Sequence, residues 1–266
     1  MAGNSLLETL CEFDNSTSES ALISIKKAID TMLAHAKSDV KAIGIGVPGA
    51  VMPDGKLFAI PKIEVWEGFN LREALSESYN TLIYVENDVK LSAVGYYHTY
   101  LIDELENVVY IYAGNGINSG VIINKKLYRG STNFSGELGF MASFNGENPR
   151  HDFTHEGGYL ETRLNALTGA GSDGSSDNKE KVIDICTVIA ANCIAIVDPA
   201  AIVFSGEAVD ALFINEIKNN LGFYIPERSI PKIIYDDSEK IGLDGLVIAC
   251  MGEVVTDVQI VQNSGV

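Results

Sequence analysis

Strands and helices alternate along most of the 266-residue chain, and this alternation predicts an α/β fold rich in parallel strands. Two further observations support that class. Short β-branched runs at Ala42–Val47, Leu82–Val85, Val108–Tyr112, Ala201–Phe204 and Lys232–Tyr235 have the length and composition of buried strands. Glycine or polar turns stand at the carboxyl ends of several of them, where open α/β sheets bind ligands.

Composition bounds the possible functions. A hydrophobic content of 46% leaves ample core for one large or two modest domains. Lys and Arg total 19 against 36 Asp and Glu, a formal charge of −17, so no contact with nucleic acid is expected from this chain itself. The first residues lack a basic region followed by an apolar core, so no signal peptide is expected. The longest apolar run, 182–197, is broken by Asp184 and Asn192 and is too short for a bilayer. Cys11, Cys186, Cys193 and Cys250 show no CxxC spacing and read as buried free thiols in a reducing cytoplasm.

Taken in order, 8–13 is expected as a short strand. Hydroxyls at 16–18 can cap a helix of about 19 residues from Glu19, with Leu22, Ile25, Ile29, Met32, Leu33 and Ala36 as its core stripe. Strand 42–47 ends in Pro48-Gly49, and Gly44 and Gly46 leave room for close packing or for a ligand. A loop through 57–69 carries Trp66, expected as a core anchor, and leads into a helix over 71–79. Strand 82–85 meets Glu86-Asn87-Asp88 and an apolar helix to about 100. A cap would satisfy at most one of Asn87 and Asp88, so function is favoured there over capping.

From Asn107 to Phe140 a strand turns through Gly114, Gly116 and Gly120 into a second strand at 121–123 and a third at 127–128. Gly130, Gly136 and Gly139 then surround Glu137. This stretch reads either as a ligand site or as a tight hairpin with turn glycines. His151 and His155 stand four apart, but Pro149 and Gly157-Gly158 flank them, so two loop histidines are favoured over a metal site. Glu161 is expected to open a helix to 167. Residues 168–178, rich in Gly, Ser and Asp, are expected to be mobile. A long apolar helix over 179–197 is stopped by Asp198-Pro199. Strand 201–204 then leads through Ser205-Gly206-Glu207 to a helix ending at Leu221. Such a turn can hold a phosphate at a helix N-terminus, but Glu207 would repel it. A strand at 232–235 and a helix over 243–258 complete the chain.

Several stretches resemble the ROK family of bacterial sugar kinases and sugar-responsive repressors. They are GIGVPGAV from Gly44, YVENDVKLSAVG from Tyr84, the YAGNGINSGVIINKKLYRG hairpin, FSGELG from Phe134, GGYLE from Gly157, DPAAIVFSG from Asp198 and LDGLVIA near the C-terminus. The likeness covers nearly everything after about residue 40, in the right order. It implies a two-domain actin-like ATPase fold of the ribonuclease H-like type, with an incomplete N-terminal subdomain. The smaller domain would be 1–106, joined by about 250–266, and the larger 107–249. It also implies that Gly49, Asn87, Asp88, Glu137 and Glu161 face a sugar, with Asp88 as the catalytic base if the chain is a kinase. Gly114, Asn115, Gly116 and Gly206 match nucleotide-side loops.

Departures from the family limit that carry-over. No Gly-Gly-Thr hairpin precedes Ala42, Asn115 stands where a threonine is usual, and Asn118 and Ser119 replace glycines. Phe140 replaces a histidine, and the cysteine-rich zinc loop is absent, with Tyr159 at its last position. Phosphoryl transfer depends on positioning and charge stabilisation, so a degenerate phosphate cradle is severe. The favoured expectation is therefore a non-catalytic sugar-binding effector domain of a ROK-type transcriptional regulator, with any DNA-binding helix-turn-helix outside these residues. No cofactor and no zinc are expected on that reading. The alternative is an ATP- and Mg²⁺-dependent sugar kinase lacking its first segment, and a third reading is a scaffold that binds neither ligand. By the resemblance, a cytoplasmic homodimer is expected.

Overall fold

The computed structural model describes residues 7–142, 157–169 and 176–263. Helix α1 (Ser18–His35) opens on a capping box in which Thr17 and Ser20 satisfy each other's backbone N–H groups. Strand β1 (Ala42–Val47) leads to a small antiparallel pair, β2 (Ala50–Val51) and β3 (Leu57–Phe58). Helix α2 (Leu71–Ser76) precedes β4 (Leu82–Asn87), which runs parallel to β1 from Ala42↔Leu82 to Val47↔Asn87. Helix α3 (Asp88–Tyr96) continues as a wider turn to Leu101.

Strands β5 (Val108–Gly114), β6 (Gly116–Ile123) and β7 (Lys126–Leu127) form an antiparallel meander. Helices α4 (Tyr159–Thr168) and α5 (Ser176–Val197) follow, then β8 (Ala201–Ser205), α6 (Ala211–Leu221), β9 (Lys232–Tyr235) and α7 (Ile241–Asn263). The five strands are ordered β7-β6-β5-β8-β9, with β8 and β9 parallel to β5. This mixed α/β sheet agrees with the predicted class. No described helix is long and apolar enough to cross a membrane.

The sheet is sandwiched because both its faces are apolar. Val109, Ile111 and Ala113 point toward Val182, Cys186 and Ile189 of α5 and Ile214 and Ile217 of α6. Val108 and Tyr110, one residue out of phase, pack against Val89, Ala93 and Val94 of α3 and Tyr97 of the wider turn, as strand alternation requires. A separate core joins β1 and β4 to Trp66, Leu71, Leu75 and α1. Trp66 is buried as expected, stacked on Phe69 with centroids 6.1 Å apart, though among the described residues its indole N–H has no hydrogen-bond partner.

Several expectations are corrected. Residues 8–13 are exposed and form no strand. Leu7, Cys11 and Phe13 would share one face of a strand there, but they stay exposed, so that face finds no core to cover it. In α1 only Leu22, Ile25 and Ile29 of the expected stripe pack on the core; Met32 and Ala36 extend past its edge and are exposed. Strand β6 begins at Gly116 rather than 121, and α4, α5 and α7 begin two or three residues early. Residues 176–178, expected to be mobile, open α5, and 168 closes α4. Among the thiols Cys11 is exposed and Cys250 half-buried; only Cys186 and Cys193 are buried. His151 and His155 lie outside the described residues.

Helix α3 crosses α7 at a contact only glycine permits. A Cβ on Gly95 would stand 2.0 Å from the Ile241 carbonyl oxygen, and one on Gly245 would stand 1.9 Å from that of Leu91. Gly44, left open between packing and ligand contact, serves packing: its Cβ position lies 2.7 Å from Cys250 Sγ of α7. Gly252, in the same helix, has nothing within 4 Å of a Cβ. Gly245→Ala is therefore expected to destabilise by about 1–3 kcal/mol through overpacking. Gly252→Ala should stabilise by up to about 1 kcal/mol through helix propensity. Urea unfolding of the two variants reads the opposite signs directly.

Candidate functional site

The pairing of β1 with β4 brings two strand ends to one edge, and the residues after each strand meet there. Asn87 caps α3: its Oδ1 accepts from Lys90 N–H at 2.9 Å, while its Nδ2 donates to the Gly49 carbonyl at 3.1 Å. Asn87 thus does cap, where the sequence favours function over capping, and it also ties the Pro48-Gly49 turn to the helix. Asp88 begins the helix, exposed, its Oδ1 accepting from Val89 N–H at 2.8 Å. Glu86 turns the other way. It is buried and accepts from Arg129 Nε at 2.8 Å, while Arg129 Nη2 donates to Tyr84 OH at 3.0 Å. Burial and the nearby Glu86 push the Tyr84 phenol up to about 12.

Glu137 comes from the loop after β7. Its Oε2 accepts from Asn118 Nδ2 of β6 at 2.8 Å, and its Oε1 lies 3.4 Å from Lys90 Nζ. Burial raises the Glu137 carboxyl above its ordinary value, and Lys90 and the Asn118 hydrogen bond pull against that rise. Glu161 stands in the first turn of α4, where the helix dipole favours an anion. Three glycines enclose its carboxylate: Cβ atoms on Gly116, Gly139 and Gly157 would lie 3.3, 3.3 and 2.5 Å from its oxygens. Ile117 N–H reaches its Oε2 at 3.4 Å.

These groups converge on a cavity of about 220 Å³. Gly49, Asn87, Asp88, Glu137 and Glu161 all line it, with Asn115 and Gly116 on the hairpin side and Phe140 closing one wall. Phe140 packs with Phe134 and Phe58, at centroid distances of 5.2 and 6.5 Å. The other two predicted residues lie apart. Gly206 borders a second cavity of about 710 Å³ on the far side of Asp88, and Gly114 borders a third of about 670 Å³.

Glu207 covers the ground between those two glycines. Its Oε2 accepts from Tyr112 OH at 2.7 Å and would stand 2.0 Å from a Cβ on Gly114. Burial and this acid raise the Tyr112 phenol. The larger cavity is lined by the carboxylates of Asp88, Glu207, Asp236, Asp237 and Glu239 and by no Lys, Arg or His. Every charge of this lining repels the phosphates of a nucleotide, although carboxylates of this kind are ordinary ligands for Mg²⁺. Among the described residues no cluster of three metal-ligating side chains occurs.

Sequence reasoning missed Lys90 and Arg129. The start of that helix also carries the charged Asp88, so nothing in the linear pattern singles out Lys90. Nothing in the sequence pairs Arg129 with Glu86.

Comparison with known proteins places this geometry. The family model described as the ROK family matches residues 4–150. The xylose repressor of Bacillus subtilis (strain 168) is 35% identical over 117 residues, covering 44% of this chain and 30% of the repressor. The curated relatives it matches are thus spanned over only about a third of their length. The ROK hexokinase from Thermus thermophilus superposes with a TM-score of 0.70 at 19% identity, covering 91% of this chain and 89% of that one. A ROK family transcriptional regulator homologous to E. coli MLC superposes with a TM-score of 0.65 at 15% identity, covering 91% and 70%. The shared fold is that of the actin-like ATPases, and the chain belongs to the ROK family.

Proposed function

We propose that the chain is the sugar-binding effector part of a ROK-type transcriptional regulator and carries out no phosphoryl transfer. The observation that carries this reading is the contrast between the two sides of Asp88. On one side Asp88, Glu137, Glu161 and Asn118 converge on a small, partly desolvated cavity, which suits the vicinal hydroxyls of a monosaccharide. On the other side Glu207 overlies Gly114, and the charged groups lining the cavity are all acids. The xylose repressor and the DNA-binding transcriptional dual regulator among the relatives support the regulatory half of the proposal. On this reading the sugar sits between a smaller domain, 1–106 with the closing helix, and a larger one around the five-stranded sheet.

A second reading, a sugar kinase, is favoured by one feature: Asp88 lines both cavities and so stands where a base would reach a sugar hydroxyl facing a nucleotide. Calorimetric titration separates the two. D-xylose or D-glucose is expected to bind, ATP with Mg²⁺ is not, and Asp88→Asn should weaken sugar binding about tenfold by loss of a charge-assisted hydrogen bond. ATP-dependent turnover of either sugar that Asp88→Asn abolishes would overturn the regulatory reading. A second expectation concerns the phosphate face. Glu207→Gly should raise ATP affinity measurably above that of the wild type, because it removes the carboxylate packed against Gly114.

A further inference from the structure

We propose that Lys90 is the positioning residue of the cavity, a buried ammonium that ties Glu137 to the first turn of α3 and fixes its carboxylate as a ligand-facing acceptor. The identity of the ligand rests on the carbohydrate reading above; the tie itself does not. Lys90 is only 1% exposed and does not line the cavity, so it acts through another residue rather than on the ligand. Its Nζ donates to the Asn133 carbonyl at 2.6 Å and to Glu137 Oε1 at 3.4 Å. Asn133 in turn donates from Nδ2 to the Val51 carbonyl at 2.7 Å, anchoring the loop to β2. The Lys90 backbone N–H meets Asn87 Oδ1. One residue therefore orients two of the groups that face the cavity.

The chemistry follows from the enclosure. A carboxylate offers about four lone-pair sites, of which Lys90 and Asn118 take one on each oxygen, leaving the remainder to the cavity. The charged groups facing Glu137 are Lys90 and Asp88 on α3 and, across the cavity, Glu161 on α4; Asn118 on β6 is neutral. Burial and Asp88 favour the protonated acid, and Lys90 opposes them. A protonated Glu137 would turn one acceptor into a donor and mismatch a sugar hydroxyl that donates to it. Sugar binding is thus expected to fall as pH falls through the Glu137 titration. Without Lys90 that midpoint moves to higher pH.

The test is Lys90→Met, with Lys90→Arg as the charge-conserving control. NMR of the Glu137 carboxyl carbon in the ligand-free protein should show its midpoint raised in Lys90→Met relative to the wild type, because the neighbouring positive charge is gone. Affinity for D-xylose or D-glucose should fall, by up to about tenfold, on the acid side of the raised midpoint and return to the wild-type value as pH rises past it, while Lys90→Arg stays within about threefold of the wild type. An unmoved Glu137 midpoint, or an equal loss of affinity at every pH, overturns the proposal. A moved midpoint in a protein that binds neither sugar upholds the tie and sinks the carbohydrate reading. Should Lys90→Met fail to fold, Glu137→Gln and the double variant decide. Removing both charges should give a higher Tm than Glu137→Gln alone, and a lower one overturns the pairing.

Discussion

The crossing of α3 and α7 constrains everything near the cavity. Backbone meets backbone there because Gly95 and Gly245 present no side chains, and α3 is held at its middle by that contact. Its first turn is then fixed relative to β1, β4 and β6, and that turn carries Asn87, Asp88 and Lys90. The opposite side of the same helix packs on the five-stranded sheet through Val89, Ala93 and Val94. A helix wedged on these sides positions its N-terminal residues more rigidly than a loop could.

Charge is distributed with the same economy. The chain carries many more acids than bases, yet its buried carboxylates are partnered: Glu86 with Arg129, Glu137 with Lys90 and Asn118, Asp236 with Tyr110 OH at 2.8 Å. Desolvating an unpaired carboxylate would cost several kcal/mol, so each partner is a condition for the acid's burial and not an optional addition to stability. Asp88, the acid shared by two cavities, stays exposed and avoids that cost.

Much of this was legible in the sequence where composition and period agree. The β-branched runs of β1, β5, β8 and β9 became strands, and the motifs around Asn87, Glu137 and Glu161 did gather at one cavity. What escaped was set by tertiary pairing. Gly116, Asn118, Ser119 and Gly120 are poor strand formers, yet the ladder from Val108↔Ile122 to Gly114↔Gly116 carries them into β6. Ser176-Asp177 reads as loop, but an Asp177–Lys181 pair at 2.6 Å accompanies an earlier helix start. Lys90 looks like any surface lysine in a linear pattern. Only the fold shows its stem enclosed and its head group turned toward a glutamate 47 residues away.

Strand β1 pairs with β4 along one edge, and among the described residues no strand pairs with the other. Beside that edge α7 exposes Val247, Met251 and Val255. A row of backbone donors and acceptors next to apolar side chains is a template for sheet growth between molecules. What opposes such growth is mutual repulsion between molecules of formal charge −17. That repulsion reaches about 10 Å at 0.1 M ionic strength and about 3 Å at 1 M. Colloidal behaviour should therefore depend steeply on ionic strength, with dilute buffers keeping the molecules apart and concentrated salt removing the barrier to edge-to-edge contact.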